Sequence, residues 1–338
     1  MLFEHRVGAM NPPPKKPGWL GVALAVVACL LCATVPARAD YPDRAVRLVV
    51  PYPAGGSSDI VGRLFAQRLE RELGRPVVVE NLGGGGGALG AQKVSTAPAD
   101  GYTLLIGSGS ELLIRGLLQP TPYEATKDFT PITMIGTGPM VIVAKLGLPA
   151  QRLEDLLPLA RGRPGQLSYG SAGQGTFMHI LGEGFKAKAG LEITHVPYKG
   201  AAPMMADVIG GHIDLGVASL ASALPSIERG QVRGYAVTSR GRVAFAPDIP
   251  ALSETDELSG LELELWIGLF APRGLPAATV ARLEAASAKV VGAADFKAKL
   301  AEQALVARPM AGAAFGDYLV QQREIYRPMI EKGNIVLQ

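Results

Sequence analysis

The stretch VRLVVPYPAGGSSDIVGRLFAQRLERELG, residues 46–74, predicts the basic unit of the fold. Its first five residues are rich in β-branched side chains and are typical of a buried strand. Pro51 and Pro53 end that strand because proline cannot donate to a sheet ladder. Gly55 and Gly56 then allow a tight turn, and an amphipathic pattern typical of a helix follows. We therefore expect a strand, a glycine loop and the N-terminus of a helix.

This junction has the chemistry of an anion site. Ser57, Ser58 and Asp59 are predicted to supply N-cap oxygens. Free backbone N–H groups and the positive end of the helix dipole would point at one place, which could bind a carboxylate or a phosphate. The alternative is an ordinary strand-to-helix turn whose caps serve stability alone, and this stretch by itself does not separate the two interpretations.

The first 39 residues are predicted to be a signal peptide. Basic residues precede an apolar run, residues 19–35, which is shorter than a typical membrane span and ends in the cleavage-type sequence Ala37-Arg38-Ala39. We therefore predict cleavage after Ala39 and a periplasmic location. A second interpretation is a lipid anchor at Cys29, because the sequence VVAC that ends there resembles a lipoprotein box.

Composition narrows the possible functions of the mature chain, whose 299 residues suit two domains. Both cysteines, Cys29 and Cys32, lie in the presequence, so the mature chain has no thiol nucleophile, disulfide or cysteine metal site. Removing four basic residues and one acidic residue from totals of 33 and 30 leaves 29 of each. A chain with no net charge and no basic run lacks the electrostatic footprint of a nucleic-acid partner.

The rest of the chain repeats the β–α alternation in two units. In the first unit, a strand at 102–107 ends in the polar tip 108–111, and a helix is predicted over 112–118. In the second unit, strands and helices alternate from 153 to 239, and the loop 171–176 places glycines, hydroxyls and an amide before a helix. Ligands collect beyond the carboxyl ends of strands in open α/β sheets. The two units would therefore enclose a cleft that is rich in N–H and hydroxyl donors.

A run of five glycines, Gly83–Gly87, raises one alternative. The sequence from Gly85 to Gly90 fits the pattern GxGxxG after a strand, and Glu111 lies 21 residues beyond Gly90, as in a dinucleotide-binding fold. Five consecutive glycines satisfy such a pattern easily, and a nicotinamide cofactor is not expected in an exported protein. We therefore predict no cofactor.

Several motifs, taken in order, resemble one family. They are PYPAGGSSD at 51–59, DGYTLL at 100–105, KDFTPI at 127–132, VPYKG at 196–200 and GLFAP at 268–272. These motifs are similar to those of the tripartite tricarboxylate transporter substrate-binding proteins, also called Bug receptors, and the resemblance spans essentially the whole mature chain. It implies an α/β, two-domain periplasmic binding protein fold of the Venus flytrap, type II-like kind, with two crossing hinge strands.

The resemblance also implies a domain arrangement and a function. Domain 1 would comprise 40–142 and 265–338, and domain 2 would comprise 143–264, with hinges near 140–145 and 262–270. The protein would be a non-catalytic, monomeric receptor that binds a small carboxylic acid or a related amide in the interdomain cleft. It would deliver this ligand to the integral membrane subunits of a tripartite tricarboxylate-type transporter, or to a sensor.

The ligand-binding residues follow from the same motifs and from the polar loop tips. They are mostly small or hydroxyl-bearing, with two acids and one histidine: Tyr52, Ala54, Gly55, Ser57, Ser58, Asp59, Ser108, Ser110, Glu111, Ser171, Gly173, Gln174, Gly175, Thr176, His179 and Ser219.

Three positions depart from the pattern that the resemblance implies. Glu111 stands where small or hydroxyl residues are usual, Ala218 stands where an acid is common, and Ala172 replaces a frequent proline. Glu111 would either face the cleft and disfavour a second ligand carboxylate, or be a solvated acid at a helix start. Tyr198 and Trp266 could stack on a flat ligand or pack in the core. The departures leave the identity of the ligand open.

The alternative function is a secreted serine hydrolase of small carboxylate esters or amides, with Ser57, Ser58 or Ser171 as the nucleophile. Catalysis needs a nucleophile beside a base, or a metal with three or four ligands. The three histidines of the mature chain form no evident constellation, and no Gly-x-Ser-x-Gly elbow precedes an acid and a histidine in order. We therefore expect no metal site and no enzymatic activity.

Overall fold

The computed structural model describes residues 41–332 and residue 335. The predicted signal peptide, its cleavage after Ala39 and the alternative anchor at Cys29 lie outside these described residues and stay predictions. Within 41–332, none of the helices has both the length and the apolar composition that crossing a bilayer requires.

The ten strands of the described chain hydrogen-bond into one mixed sheet. They are β1 Val46–Val50, β2 Val77–Asn81, β3 Thr103–Ser108, β4 Phe129–Lys145, β5 Leu167–Ser171, β6 Ile193–Pro197, β7 Leu215–Ser219, β8 Val232–Val237, β9 Glu264–Pro272 and β10 Val306–Ala311. Along the sheet the order is β2-β1-β3-β9-β4-β7-β5-β6, and β8 and β10 also pair with β4.

The described chain forms helices between these strands and after the last one. They are α1 Ser57–Leu73, α2 Ala88–Ser95, α3 Arg115–Leu118, α4 Ala125–Asp128, α5 Leu153–Arg161, α6 Phe177–Ala189, α7 Ala201–Ile209, α8 Leu220–Glu228, α9 Ala277–Gly292, α10 Ala294–Ala301 and α11 Gly312–Lys332. Short 3₁₀ turns occupy Gly85–Gly87, Leu252–Glu254 and Asp256–Leu258, and a π-helical turn occupies Ser110–Ile114. The helix predicted over 112–118 is therefore wrong in its first turn, which is wider than an α-helix.

Two groups of parallel strands confirm the two predicted α/β units. β1 pairs in parallel with β2 and β3, and β5 pairs in parallel with β6 and β7. The β1 residues Val46, Leu48, Val49 and Val50 are all fully buried, as expected of a strand covered on both faces. Because the strands of each group run the same way, the loops that follow them gather at one edge of that group.

The long strand β4 joins the two groups. Its residues 129–139 pair with β9, and its residues 140–145 pair with β7 and β8. The chain passes between the two groups of strands a second time beside β4. There the Thr238 hydroxyl accepts a hydrogen bond from Met140 N–H at 2.9 Å and donates to the Leu263 carbonyl at 2.7 Å. We call these two connections the crossings. The hinge segments predicted from the family motifs overlap these crossings. The predicted domain limits at 142/143 and 264/265 stay a prediction.

The first part of β4 is irregularly paired. It contains Pro131 and Pro139, and proline cannot donate a hydrogen bond to a neighbouring strand. In the structure, register shifts beside Pro131 and between Met134 and Gly136 accommodate the proline within the ladder with β9.

An aromatic cluster forms the core around β9. Trp266 is fully buried, its ring centroid lies 6.0 Å from that of Phe315, and its Nε1–H donates to the Tyr326 hydroxyl at 2.9 Å. The interpretation of Trp266 as a stacking surface for a ligand is therefore wrong. Its buried N–H is satisfied within the core, as is usual for tryptophan.

Candidate functional site

Two helix N-termini lie at the ends of strands β1 and β5. Helix α1 begins at Ser57 after the N-cap residue Gly56, and no side chain caps it. The predicted N-cap role of Ser57, Ser58 and Asp59 is therefore wrong, because all three already lie in the first helical turn. The N–H groups and the hydroxyls of Ser57 and Ser58 find no hydrogen-bond partner among the described residues. They are available to an anion at the positive end of the helix.

Asp59 braces the first loop. Its Oδ2 accepts the Gly55 N–H at 3.0 Å and Arg63 Nε–H at 3.1 Å, and its Oδ1 accepts Asn81 Nδ2–H at 2.9 Å. Burial favours the neutral acid, but the hydrogen bonds from Arg63, Gly55 and Asn81 outweigh burial and hold the pKa of Asp59 below its usual value. The Asp59 carboxylate therefore stabilises the conformation of the first loop.

Thr176 and His179 brace the second loop in the same way. Thr176 is the N-cap of α6, and its hydroxyl donates to the Gly173 carbonyl at 2.7 Å and accepts His179 N–H at 3.4 Å. His179 Nδ1 accepts the Gly175 N–H at 3.2 Å, and burial lowers the pKa of this histidine. A neutral imidazole is the form that can accept this bond.

A serine–histidine contact lies beneath the second loop. Ser171 Oγ is 2.8 Å from His195 Nε2, and the His195 ring stacks between those of Tyr169 and His179 at centroid distances of 4.8 and 4.3 Å. Burial lowers the pKa of His195 to about 4. Among the described residues no carboxylate bonds to His195, and the nearby Glu183 is held by the Tyr169 hydroxyl at 2.7 Å. The contact lacks the orienting acid of a catalytic triad.

The two groups of loops touch each other. Ser110 Oγ, which follows β3, accepts the Phe177 N–H at the start of α6 at 3.0 Å. Arg115 Nη1 lies 3.5 Å from the Gln174 carbonyl oxygen. A Cβ placed on Gly86 would stand 2.6 Å from the same oxygen, so only glycine permits this approach. The cleft is closed in this structure.

A small inner cavity lies between the loops. Its volume is about 30 Å³, and no charged side chain lines it. Hydroxyl-bearing residues dominate the lining, together with small and apolar ones: Tyr52, Gly56, Ser57, Ser58, Ser108, Ser110, Ala172, Thr176, Met178, Ala201 and Leu265. Six of these eleven residues carry a hydroxyl group.

A larger outer cavity adjoins it, because Tyr52 and Ala172 line both. Its volume is about 280 Å³. The glycine run, the second loop and two basic residues form its lining: Gly84, Gly85, Gly86, Gly87, Arg115, Gly173, Gln174, Pro197, Tyr198 and Lys199. Tyr198, proposed to stack on a ligand or pack in the core, lines this cavity and donates its hydroxyl to Asp207 at 2.6 Å.

Glu111 is fully buried beneath the inner cavity. Its Oε2 accepts the Tyr52 hydroxyl at 2.9 Å and the Ser108 hydroxyl at 2.7 Å, and its other oxygen accepts the Ser108 N–H. Burial, partly offset by these hydrogen bonds, raises the pKa of Glu111 to about 7. The interpretation of Glu111 as a solvated acid at a helix start is therefore wrong.

The residues expected to bind the ligand fall into two sets. Those that line a cavity are Tyr52, Ser57, Ser58, Ser108, Ser110, Gly173, Gln174 and Thr176. Those outside both linings, in the loops or just behind them, are Ala54, Gly55, Asp59, Glu111, Ser171, Gly175, His179 and Ser219. Ser219 caps α8 by accepting the Ser222 N–H at 3.3 Å.

Sequence reasoning missed several lining residues, chiefly Arg115, Lys199 and Met178. Arg115 lies four positions after Glu111, but the π-helical turn between them means that this spacing does not determine the direction of its side chain. The glycine run was considered only for a dinucleotide, although its position after β2 brings it to the same edge as the first loop. Within 41–332, no three His, Cys, Asp or Glu residues are grouped so that they could hold a metal ion.

Comparison with known proteins gives consistent matches. Residues 61–335 match the model of the tripartite tricarboxylate transporter family receptor. The structure of the periplasmic binding protein BugD shares 30% sequence identity, with a TM-score of 0.84, covering 88% of this chain and 100% of that one. A structure from R. palustris with adipate shares 33% identity, with a TM-score of 0.83 over 88% and 99% of the two chains.

A third solved structure is MatC from Rhodopseudomonas palustris with bound malate. It shares 28% identity, with a TM-score of 0.82, and the match covers 86% of this chain and 100% of that chain. The agreement of the family model with the solved structures confirms the family resemblance and the expected periplasmic binding protein fold. The chain therefore belongs to the tripartite tricarboxylate transporter receptor family.

Proposed function

We propose that this protein is a solute receptor that binds a small carboxylic acid, or a related amide, between the two groups of loops. The observation that carries the proposal is the inner cavity, whose lining offers hydroxyls and a helix N-terminus but no charged side chain. The adipate and malate in the related structures belong to the same ligand class. A carboxylate in the inner cavity would be held by neutral donors.

The free donors of the first loop give this proposal its physical basis. The N–H groups of Ser57 and Ser58 lie at the start of the 17-residue helix α1, where the dipole favours a negative charge by about 0.3–1 kcal/mol. Hydrogen bonds to a charged group add about 1.5–3 kcal/mol each. A few such bonds, without an arginine clamp, are enough for a dissociation constant in the micromolar range.

Ligand entry requires the loops to separate. A cavity of about 30 Å³ has room for only one or two water molecules, whereas a carboxylic acid of several carbons is larger. The two crossings, in β4 and before β9, are the places where the chain could bend to open the cleft. We propose that the ligand then bridges both groups of loops, and that the closed receptor delivers it to the membrane subunits of a tripartite transporter as a monomer.

One observation favours a second candidate, a serine hydrolase, namely the 2.8 Å contact between Ser171 and His195. Three features speak against it. Ser171 is fully buried, it lines neither cavity, and His195 has no carboxylate partner among the described residues. We therefore rank the receptor first.

A thermal-shift screen of the mature protein tests the proposal. Monocarboxylates, dicarboxylates, aromatic carboxylates and their amides are compared, because a ligand that binds only the folded state raises the melting temperature by mass action. A shift that vanishes in Ser57→Ala supports the inner cavity as the site. Incubation of the amide of a hit with the protein, followed by NMR, separates the two functions: an unchanged amide supports a receptor, and its hydrolysis to the acid supports the hydrolase.

A further inference from the structure

We infer that the outer cavity is a second anionic subsite, in which Arg115 recognises a distal carboxylate of the ligand. This inference rests on the proposed function, because the first carboxylate occupies the inner cavity. It assigns the ligand to the dicarboxylates and makes Arg115 the residue that distinguishes them from monocarboxylates. Nothing in the loop motifs pointed to this residue.

The charges around the outer cavity support an anion. Arg115 and Lys199 are the charged residues of its lining, and the lining contains no carboxylate. Glu111 directs its carboxylate to Tyr52 and Ser108, and Asp207 accepts the Tyr198 hydroxyl. Both of these carboxylates therefore already accept hydrogen bonds from side chains of the protein. A negative group in the cavity would meet two cations.

Arg115 forms no ion pair with the described residues. It is half-buried at the start of α3, and none of the described carboxylates lies within ion-pair distance of it. Its contact with the Gln174 carbonyl, at 3.5 Å, is long for a hydrogen bond. A guanidinium presents a planar fork of donors that matches a carboxylate, so a distal acid is the natural partner.

The glycine run adds neutral donors beside this guanidinium. Arg115 Nη1 would stand 3.4 Å from a Cβ on Gly86, so the loop backbone passes next to the charge. The N–H groups of Gly85 and Gly86 donate to no described residue. With φ of +58° and +62°, both residues hold left-handed conformations that leave this backbone uncovered. Charge and backbone donors thus converge on one cavity.

The two cavities adjoin, which restricts the kind of ligand. Tyr52 and Ala172 line both, so once the loops have separated one molecule can place one acid among the serine hydroxyls and the other beside Arg115. The linking atoms would pass the Tyr52 ring. An unbranched aliphatic diacid has this shape, whereas a monocarboxylate of the same length would put an apolar end against the guanidinium.

Calorimetry with length-matched acids tests the inference. Wild-type protein is titrated with pentanoate and glutarate, with hexanoate and adipate, and with the monoamides of the two diacids. We expect the better diacid to bind at least tenfold more tightly than the matched monoacid, and its monoamide to lose most of that advantage.

Variants then assign the effect to Arg115. Arg115→Gln should remove the diacid advantage and leave monoacid affinity within about twofold, and Arg115→Lys should restore part of it. Arg163→Gln is the matched control, since this exposed arginine lies before the opposite end of strand β5. Lys199→Gln, at an exposed position, should have a smaller effect than Arg115→Gln.

The outcomes separate this inference from the proposed function. Equal losses for monoacids and diacids in Arg115→Gln would overturn the inference, and so would a wild-type protein that binds monoamide and diacid equally. The second comparison needs no variant, so it holds even if Arg115→Gln does not fold. If wild-type protein bound none of these acids and no compound of the thermal-shift screen, the proposed function itself would fail.

Discussion

Replacing Glu111 by glutamine should abolish one component of the pH dependence of stability. Glu111 has no exposed surface, and the substitution keeps its shape. The amide can also satisfy the site. Its oxygen would accept the Ser108 N–H, its NH₂ would donate to the Ser108 and Tyr52 oxygens, and the Tyr52 hydroxyl would then donate to the Gly86 carbonyl, 3.1 Å away.

The magnitude follows from the pKa of this carboxyl group. Burial raises the pKa from the usual 4.5 to about 7 in the folded protein. A raised pKa means that the folded state keeps its proton when the unfolded state has lost it. The stabilisation is fully present below pH 4.5 and is lost as the pH rises through 7. A shift of this size corresponds to about 3 kcal/mol in the free energy of unfolding.

Urea denaturation of wild type and Glu111→Gln between pH 4.5 and pH 8.5 measures this effect. The free energy of unfolding of the variant, minus that of wild type, should increase by about 3 kcal/mol across the range, with most of the change below pH 7. Glu228→Gln, at an exposed position on α8, controls for the loss of one carboxylate. A difference that stays constant with pH would refute the reasoning, because Glu111 would then be charged throughout.

Three further predictions concern the loops. Ser57→Ala should weaken ligand binding by about 1–3 kcal/mol in calorimetry with little change in stability, whereas Thr176→Ala should lower the free energy of unfolding by about 0.5–2 kcal/mol, because Thr176 caps α6. Equal effects of both on stability would contradict these roles. Gly86→Ala and Gly74→Ala should each cost about 1–2 kcal/mol of stability, because both residues have positive φ. Only Gly86→Ala should also weaken ligand binding, because its Cβ would lie 2.6 Å from the Gln174 carbonyl oxygen and would keep the two groups of loops apart. Equal ligand affinities of the two variants would contradict the role of Gly86 in closing the cleft. In small-angle scattering, a saturating ligand should reduce the radius of gyration, and an unchanged value would count against hinge closure.

The local architecture around β1 could be predicted from sequence because its determinants are local. A β-branched run, two prolines and two glycines within residues 46–56 specify a strand and a turn wherever they occur. The role of Asp59 could not be predicted in the same way. Its partner Asn81 lies 22 residues away, and its capture of that side chain and of Arg63 depends on how β2 packs beside the helix.

The same distinction between local determinants and contacts distant in sequence applies to the candidate site. The hydroxyl-rich inner cavity follows from loop motifs, because loops at the carboxyl ends of parallel strands must meet. The burial of Glu111 and the exposure of Arg115 to the outer cavity depend on the π-helical turn between them, which changes the direction of every side chain that follows. Residue spacing along an ideal helix does not determine that direction.

The pairing of β3 with β9 also sets the order in which the chain can fold. Leu105 pairs with Phe270, and β4 likewise needs β9 along its first half. Until residues 264–272 are available, the strands β1 to β3 form a sheet with an unprotected edge, which can pair with other chains. Contacts so distant in sequence form slowly. The first α/β unit therefore waits for the last third of the polypeptide, while β5 to β7 can assemble earlier from contiguous sequence.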